Sequence, residues 1–218
     1  IGAASAATLV TPRTVPDAPV IGGATPGNAQ ASVAFTAPVF NGGATITSYT
    51  ATCTSASQPT RTASGAASPL TVGSLVNGAA YSCSVTATNV AGTGVGSAPV
   101  SVTPRTVPGA PNLLSSSFLD GRVSVNFTPP VGDGGSAITG YTLACNPGAL
   151  SQSGTSSPIS LTGLTNGISY TCTLSANNAA GSAPTAPFTG TPAINSGDII
   201  YGSVCSACHS VPPDMPQY

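Results

Sequence analysis

The segment TPRTVPDAPV at residues 11–20 returns as TPRTVPGAPN at residues 103–112. Between and beyond these marks the correspondence continues. NGGATITSYTATC (41–53) answers GDGGSAITGYTLAC (132–145), and LVNGAAYSCSVTATNVAG (75–92) answers LTNGISYTCTLSANNAAG (164–181). A chain that repeats itself in this way folds as copies of one unit, each with a core of its own. Each copy holds about seven short alternating runs separated by Gly, Pro or Asn-Gly turns, the pattern of an antiparallel sandwich.

Alternation at period 2 puts every second residue of a strand on one face, so the inward sets can be read by parity. In the first copy they are Val33 and Phe35; Tyr49, Ala51 and Cys53; and Tyr81, Cys83, Val85 and Ala87. In the second they are Val123, Val125 and Phe127; Tyr141, Leu143 and Cys145; and Tyr170, Cys172, Leu174 and Ala176.

A hydrophobic content of 40% supplies such cores, although aromatics are only 5% and Trp is absent. Low charge with abundant Gly and Pro would favour disorder, but the regular alternation argues for folded β-structure. Lys and Glu are missing, and four Arg and five Asp leave a net charge of -1. No basic patch exists to hold nucleic acid or an anionic lipid surface. No apolar run approaches the eighteen or so residues that span a bilayer. The opening IGAASAA has neither an initiator Met nor a basic region, so it is no signal peptide, and the chain reads as a mature or cut segment.

From the lead-in VPDAP, through Phe35 and Phe127 and the IT-x-Y runs, to L-x-N-G-x-x-Y and A-x-N-x-A-G, the sequence resembles the fibronectin type III family in its bacterial form. The resemblance covers roughly residues 15–193 and implies an all-β fold of tandem immunoglobulin-like sandwiches. Phe replaces the family's usual Trp on the second strand. No Arg-Gly-Asp triplet is present, so integrin-type binding has no support, and the fold by itself implies no function. In this fold the third and sixth strands are antiparallel neighbours. The resemblance therefore implies disulfides Cys53–Cys83 and Cys145–Cys172, with buried free thiols as the alternative. Each bridge would close a loop of roughly thirty residues, worth about 3–4 kcal/mol on the chain-entropy model. Such bridges imply the cell exterior or surface, with the periplasm as alternative.

A third cysteine pair lies outside both sandwiches, in YGSVCSACHS (201–210). Cys205-x-x-Cys208-His209 reads as a c-type haem attachment motif. Gly197, Tyr201 and Cys205 fall at four-residue spacing, which predicts an amphipathic helix over 197–209. The segment resembles the first helix of class I cytochrome c. That resemblance implies haem c on two thioether links from Cys205 and Cys208, His209 as proximal iron ligand, and Tyr201 packed near the haem. Two thiols one helical turn apart meet the two vinyl groups, and the neighbouring imidazole reaches the iron. Met215, the only Met, follows His209 closely enough to span about 20 Å when extended, which makes it the local candidate for the distal position. A cytochrome domain continues for several more helices, so cover for the haem would come from further chain or a neighbouring subunit. Two plainer readings compete: a Cys205–Cys208 disulfide, and a zinc site with three ligands where a structural zinc takes four.

Other motifs are weaker. GTGVG (92–96) faintly resembles a phosphate loop but falls at a hairpin, where Gly serves the turn. The aspartates are scattered, the only His is already assigned, and no Ser–His–Asp arrangement forms. Asn126-Phe127-Thr128 is a glycosylation sequon. Residues 1–12 align with 93–104, the closing strand of the first copy, and so are expected to close an upstream repeat or pair with another copy of the chain. The expected domains are 1–14, a terminal strand and linker; 15–104 and 105–193, the two sandwiches; and 194–218, the start of the haem segment. Two prolines in each PRTVP linker favour stiff, extended spacing. The leading expectation is a non-enzymatic, secreted or cell-surface c-type cytochrome. Its fibronectin-type stalk would position the haem for electron transfer to a redox partner, with a filament as one arrangement. The rival is a structural or adhesive surface filament protein with a Cys205–Cys208 disulfide.

Overall fold

Each alternating run pairs with a neighbour to make two packed sheets, once in either copy. The computed structural model describes residues 11–194 and divides them into two units, the first running to Thr106 and including Gly134–Ser136, the second holding the rest from Val107 on. The first holds β1 (Val20–Gly27), β2 (Gln30–Thr36), β3 (Ser48–Thr54), β4 (Arg61–Gly65), β5 (Leu70–Val72), β6 (Tyr81–Asn89), β7 (Gly92–Thr93) and β8 (Val100–Val102). The second holds β9 (Asn112–Leu119), β10 (Arg122–Thr128), β11 (Gly140–Asn146), β12 (Leu150–Gly154), β13 (Ile159–Thr162), β14 (Tyr170–Asn178), β15 (Gly181–Pro184) and β16 (Phe188–Gly190). One sheet of the first unit runs β1-β2-β5 and the other β4-β3-β6, with β7 and β8 both on β6. The second unit repeats this as β9-β10-β13 and β12-β11-β14, with β15 and β16 on β14. Among the described residues there is no helix, and so none long and apolar enough to cross a membrane. The opening strand expected over 1–12 lies almost wholly outside the described residues. So does the helical segment expected over 197–209, with Tyr201, Cys205, Cys208, His209 and Met215.

Every residue placed inward by parity is buried. Phe35 and Tyr49, from opposite sheets, meet with ring centroids 4.8 Å apart and planes tilted by 51°; Phe127 and Tyr141 do the same at 4.6 Å. A tilted aromatic pair adds about 0.5–1.5 kcal/mol beyond its buried area, so the smaller Phe still ties sheet to sheet. At the corner before β6 the Val76 amide donates to the Tyr81 hydroxyl at 3.1 Å; Thr165 and Tyr170 repeat the bond at 3.0 Å. These tyrosines therefore fill the core and fix the turn at once.

The closing strand of each unit departs from expectation. Residues 93–104 and 183–191 read as single strands, yet each is split, into β7 and β8 and into β15 and β16. At the split, the Ser97 amide donates to the Val85 carbonyl (2.9 Å), and the Ser97 hydroxyl accepts from the Val85 amide (3.0 Å). Thr185 does both for Leu174. A side-chain oxygen here replaces a ladder carbonyl, and Pro99 or Pro187 follows where no amide hydrogen is available.

Candidate functional site

The cysteines of the two sandwiches are already spent. Cys53 faces Cys83 in the β3–β6 register, and Cys145 faces Cys172 across β11–β14, each pair with Cα atoms 4.1 Å apart. Parity points both members of a pair into the core from directly facing positions on adjacent strands. The structure forms both disulfides, and all four sulfurs lie in buried residues. They cannot act as thiols or metal ligands. Among the described residues no group of three or more His, Cys, Asp or Glu could hold a metal ion.

What the described residues do build, twice, is a clamp on the backbone where it enters each sandwich. Asn89, the last residue of β6, is only 4% exposed. Its Nδ2 donates to the carbonyls of Thr14 and Asn41, both at 2.8 Å, and its Oδ1 accepts from the Ala91 amide at 2.8 Å. Beside it the Thr14 amide donates to the Gly42 carbonyl (2.9 Å) and the Asp17 amide to the Phe40 carbonyl (3.1 Å). The strap 14–17 needs close backbone approach. A Cβ at Gly42, whose φ is +75°, would collide with the Thr14 carbonyl oxygen, and one at Gly94 with that of Pro16. The middle glycine of GTGVG thus makes room for the strap, which accounts for the motif without a phosphate. In the second unit Asn178 donates to the Asp133 carbonyl (2.7 Å) and accepts from the Ala180 amide (2.8 Å). There the Gly109 amide donates to the Gly132 carbonyl (2.9 Å).

The departing chain is tied as well. The Gly78 amide donates to the Pro104 carbonyl (2.9 Å) and the Arg105 amide to the Gly27 carbonyl (3.1 Å); the Gly167 amide donates to the Pro192 carbonyl (2.9 Å). The Asn beside each of these glycines braces the corner. Asn77 Oδ1 accepts from the Ala29 amide (2.8 Å) and Asn166 Oδ1 from the Gly121 amide (3.0 Å). In the sequence A-x-N-x-A-G and L-x-N-G-x-x-Y are family marks whose asparagines carry no evident role. The available signal was the same amide side chain at the same place in both copies.

Away from the clamps the outer faces carry hydroxyls in place of charge. Thr50 and Ser64 bond across β3–β4 at 2.8 Å, and Thr142 and Ser153 across β11–β12 at 3.1 Å. Beside the first strap lies an open recess of about 390 Å³ whose walls include Arg13, Asn41, Gly43, Thr45 and Val90.

A family model for the Fibronectin type III domain matches residues 23–103 and again 109–191. Among solved structures, the FN1–FN3 domains of chicken CNTN1 align at 17% identity and a TM-score of 0.49, over 83% of this chain and 69% of that one. No curated protein matches the chain.

Proposed function

The chain belongs to the fibronectin type III family, and from that premise we propose that its two domains form the stalk of an extracytoplasmic surface protein, a structural or adhesive spacer. One observation carries this reading: each domain ties down the backbone where it arrives and where it leaves. A spacer needs that; a domain acting through a pocket does not. The two buried disulfides support an oxidising compartment. The scarcity of charge suits a part that captures nothing electrostatically. Immunogold labelling of intact cells with antibody against the full chain should decorate the outer surface. Label found only after cells are opened would overturn the assignment.

A second reading is favoured by Cys205-Ser206-Ala207-Cys208-His209: the stalk holds a covalent haem c for electron transfer with a redox partner. The donor set fits, with two thiols and an imidazole in the required order. Because the other four cysteines are joined to one another, Cys205 and Cys208 remain for thioether links or for a bridge between themselves. When bound, haem supplies the one-electron chemistry. Cys205 and Cys208 would anchor it, His209 would ligate the iron, Tyr201 would pack near it and Met215 is the local candidate for the sixth position. Haem staining after denaturing electrophoresis should then mark the full-length protein and fail on a Cys205→Ser, Cys208→Ser variant. A colourless protein with a Cys205–Cys208 bridge leaves the structural reading alone.

A further inference from the structure

We propose that Asn41-Gly42 is a site of spontaneous modification, where the asparagine closes on the next backbone amide and the entry strap of the first domain is thereby released. The chain has three Asn-Gly pairs, at 41, 77 and 166. Glycine has no Cβ to shield its amide nitrogen from the preceding side chain, so the sequence alone makes the three equivalent. The fold does not.

At the two corner pairs every reacting group is occupied. Asn77 Oδ1 accepts from the Ala29 amide and its Nδ2 donates to Asn28 Oδ1 (2.8 Å). Asn166 Oδ1 accepts from the Gly121 amide and its Nδ2 donates to Asp120 Oδ1 (2.6 Å). The attacking amides are tied too, Gly78 to the Pro104 carbonyl and Gly167 to that of Pro192.

Asn41 differs at each point. Its side chain is exposed to water, and Oδ1 accepts from the Gly43 amide, two residues on, at 3.0 Å. That bond folds the side chain back over its own peptide, and the ring it closes contains both Cγ and the Gly42 nitrogen. The same N–H polarises the Cγ carbonyl and stabilises the oxyanion that forms there during attack. Among the described residues no hydrogen bond holds the Gly42 amide.

The step balances without an oxidant. The Gly42 nitrogen gives its proton to solvent and bonds to Cγ; the Cγ–Nδ2 bond breaks, and Nδ2 takes a proton and leaves as ammonia. Water then opens the cyclic imide at either carbonyl, giving Asp or isoAsp. Asp is tolerated: Asp133 holds the aligned position in the second copy, and its carbonyl still accepts from Asn178 (2.7 Å). IsoAsp adds a carbon to the main chain where Thr14 meets the Gly42 carbonyl and Asn89 meets that of Asn41. A Cβ on Gly42 would already collide with the Thr14 carbonyl, so the strap lets go, and it does so irreversibly.

The full chain is aged in mildly alkaline buffer, reduced and digested; Arg61, Arg105 and Arg122 put the three pairs on separate tryptic peptides. By mass spectrometry Asn41 should convert at least about tenfold faster than Asn77 or Asn166, since each bond that must first open holds the reactive form back by about that factor. In urea the three rates should converge. Trypsin cleavage after Arg13 in the aged, folded protein should quicken by about tenfold, and an isoaspartyl methyltransferase should label the cleaved fraction. Asn41→Asp should keep the slow cleavage, and Asn41→Gln should stay as resistant after ageing as before. Conversion first at Asn77 or Asn166, or equal rates at all three in the folded chain, overturns the proposal. So does isoAsp at 41 that leaves the Arg13 site as closed as in fresh protein.

Discussion

Burying a primary amide is worthwhile only if its hydrogens and its oxygen all find partners, because a buried polar group left unbonded costs about 1–3 kcal/mol. Asn89 meets that condition with two carbonyls and one amide. Asn89→Ala should therefore lower the stability of the first domain by about 1–3 kcal/mol. Asn89→Asp should be no better, since a carboxylate donates nothing and would face two carbonyl oxygens. Urea unfolding followed by hydrogen exchange reads the two domains separately and checks this: Asn89→Ala should move the first and Asn178→Ala the second. An unmoved first domain in Asn89→Ala would mean that the strap holds itself.

At the scale of strands, the edges need protection without lysine, the usual guard. The chain uses irregularity instead. The β1–β2 register shifts between Ile21 and Gly23, and β9–β10 shifts at the corresponding place beside Asn126 and Phe127. Bulges of this sort twist an edge away from neighbours. On the opposite flank, the split closing strands depend on Ser97 and Thr185. Ser97→Ala should leave the buried Val85 amide without its acceptor and cost about 1–3 kcal/mol. Ser97→Thr should be nearly neutral, because Thr185 already fills that role in the second domain; differential scanning calorimetry separates the two outcomes. The buried disulfides should resist reagents for a related reason. Without denaturant, none of Cys53, Cys83, Cys145 and Cys172 should react with a thiol probe after mild reductant, as read by peptide mass spectrometry. The inward sets were legible because period-2 alternation depends on near neighbours, and the cysteine pairs because the family resemblance implies that the third and sixth strands lie side by side in each copy. The roles of Ser97 and Asn89 were not, because they depend on where distant backbone arrives; Asn89 and Thr14 stand 75 positions apart. The haem motif was legible as letters, and it lies outside the described residues.

Across the whole molecule, five aspartates, four arginines and one histidine give salt and protons little to act on. Raising NaCl from about 20 to about 300 mM screens charge pairs strongly, yet the melting temperature here should stay almost constant; a large shift would reveal an electrostatic contribution that this composition does not suggest. A further consequence follows from where the bridges sit when the molecule is pulled by its ends. Tension entering the first domain at Cys53 crosses directly to Cys83, so β4, β5 and the corner at Gly78 never carry load. The second domain shelters the stretch between Cys145 and Cys172 in the same way. Each unravelling domain therefore stops short, holding back 30 and 27 residues of chain. In single-molecule stretching, reduction should lengthen the released contour by about 100 Å for the first domain and about 90 Å for the second. Oxidised, the stalk yields under force in short steps and keeps a closed loop of each sandwich from which to refold.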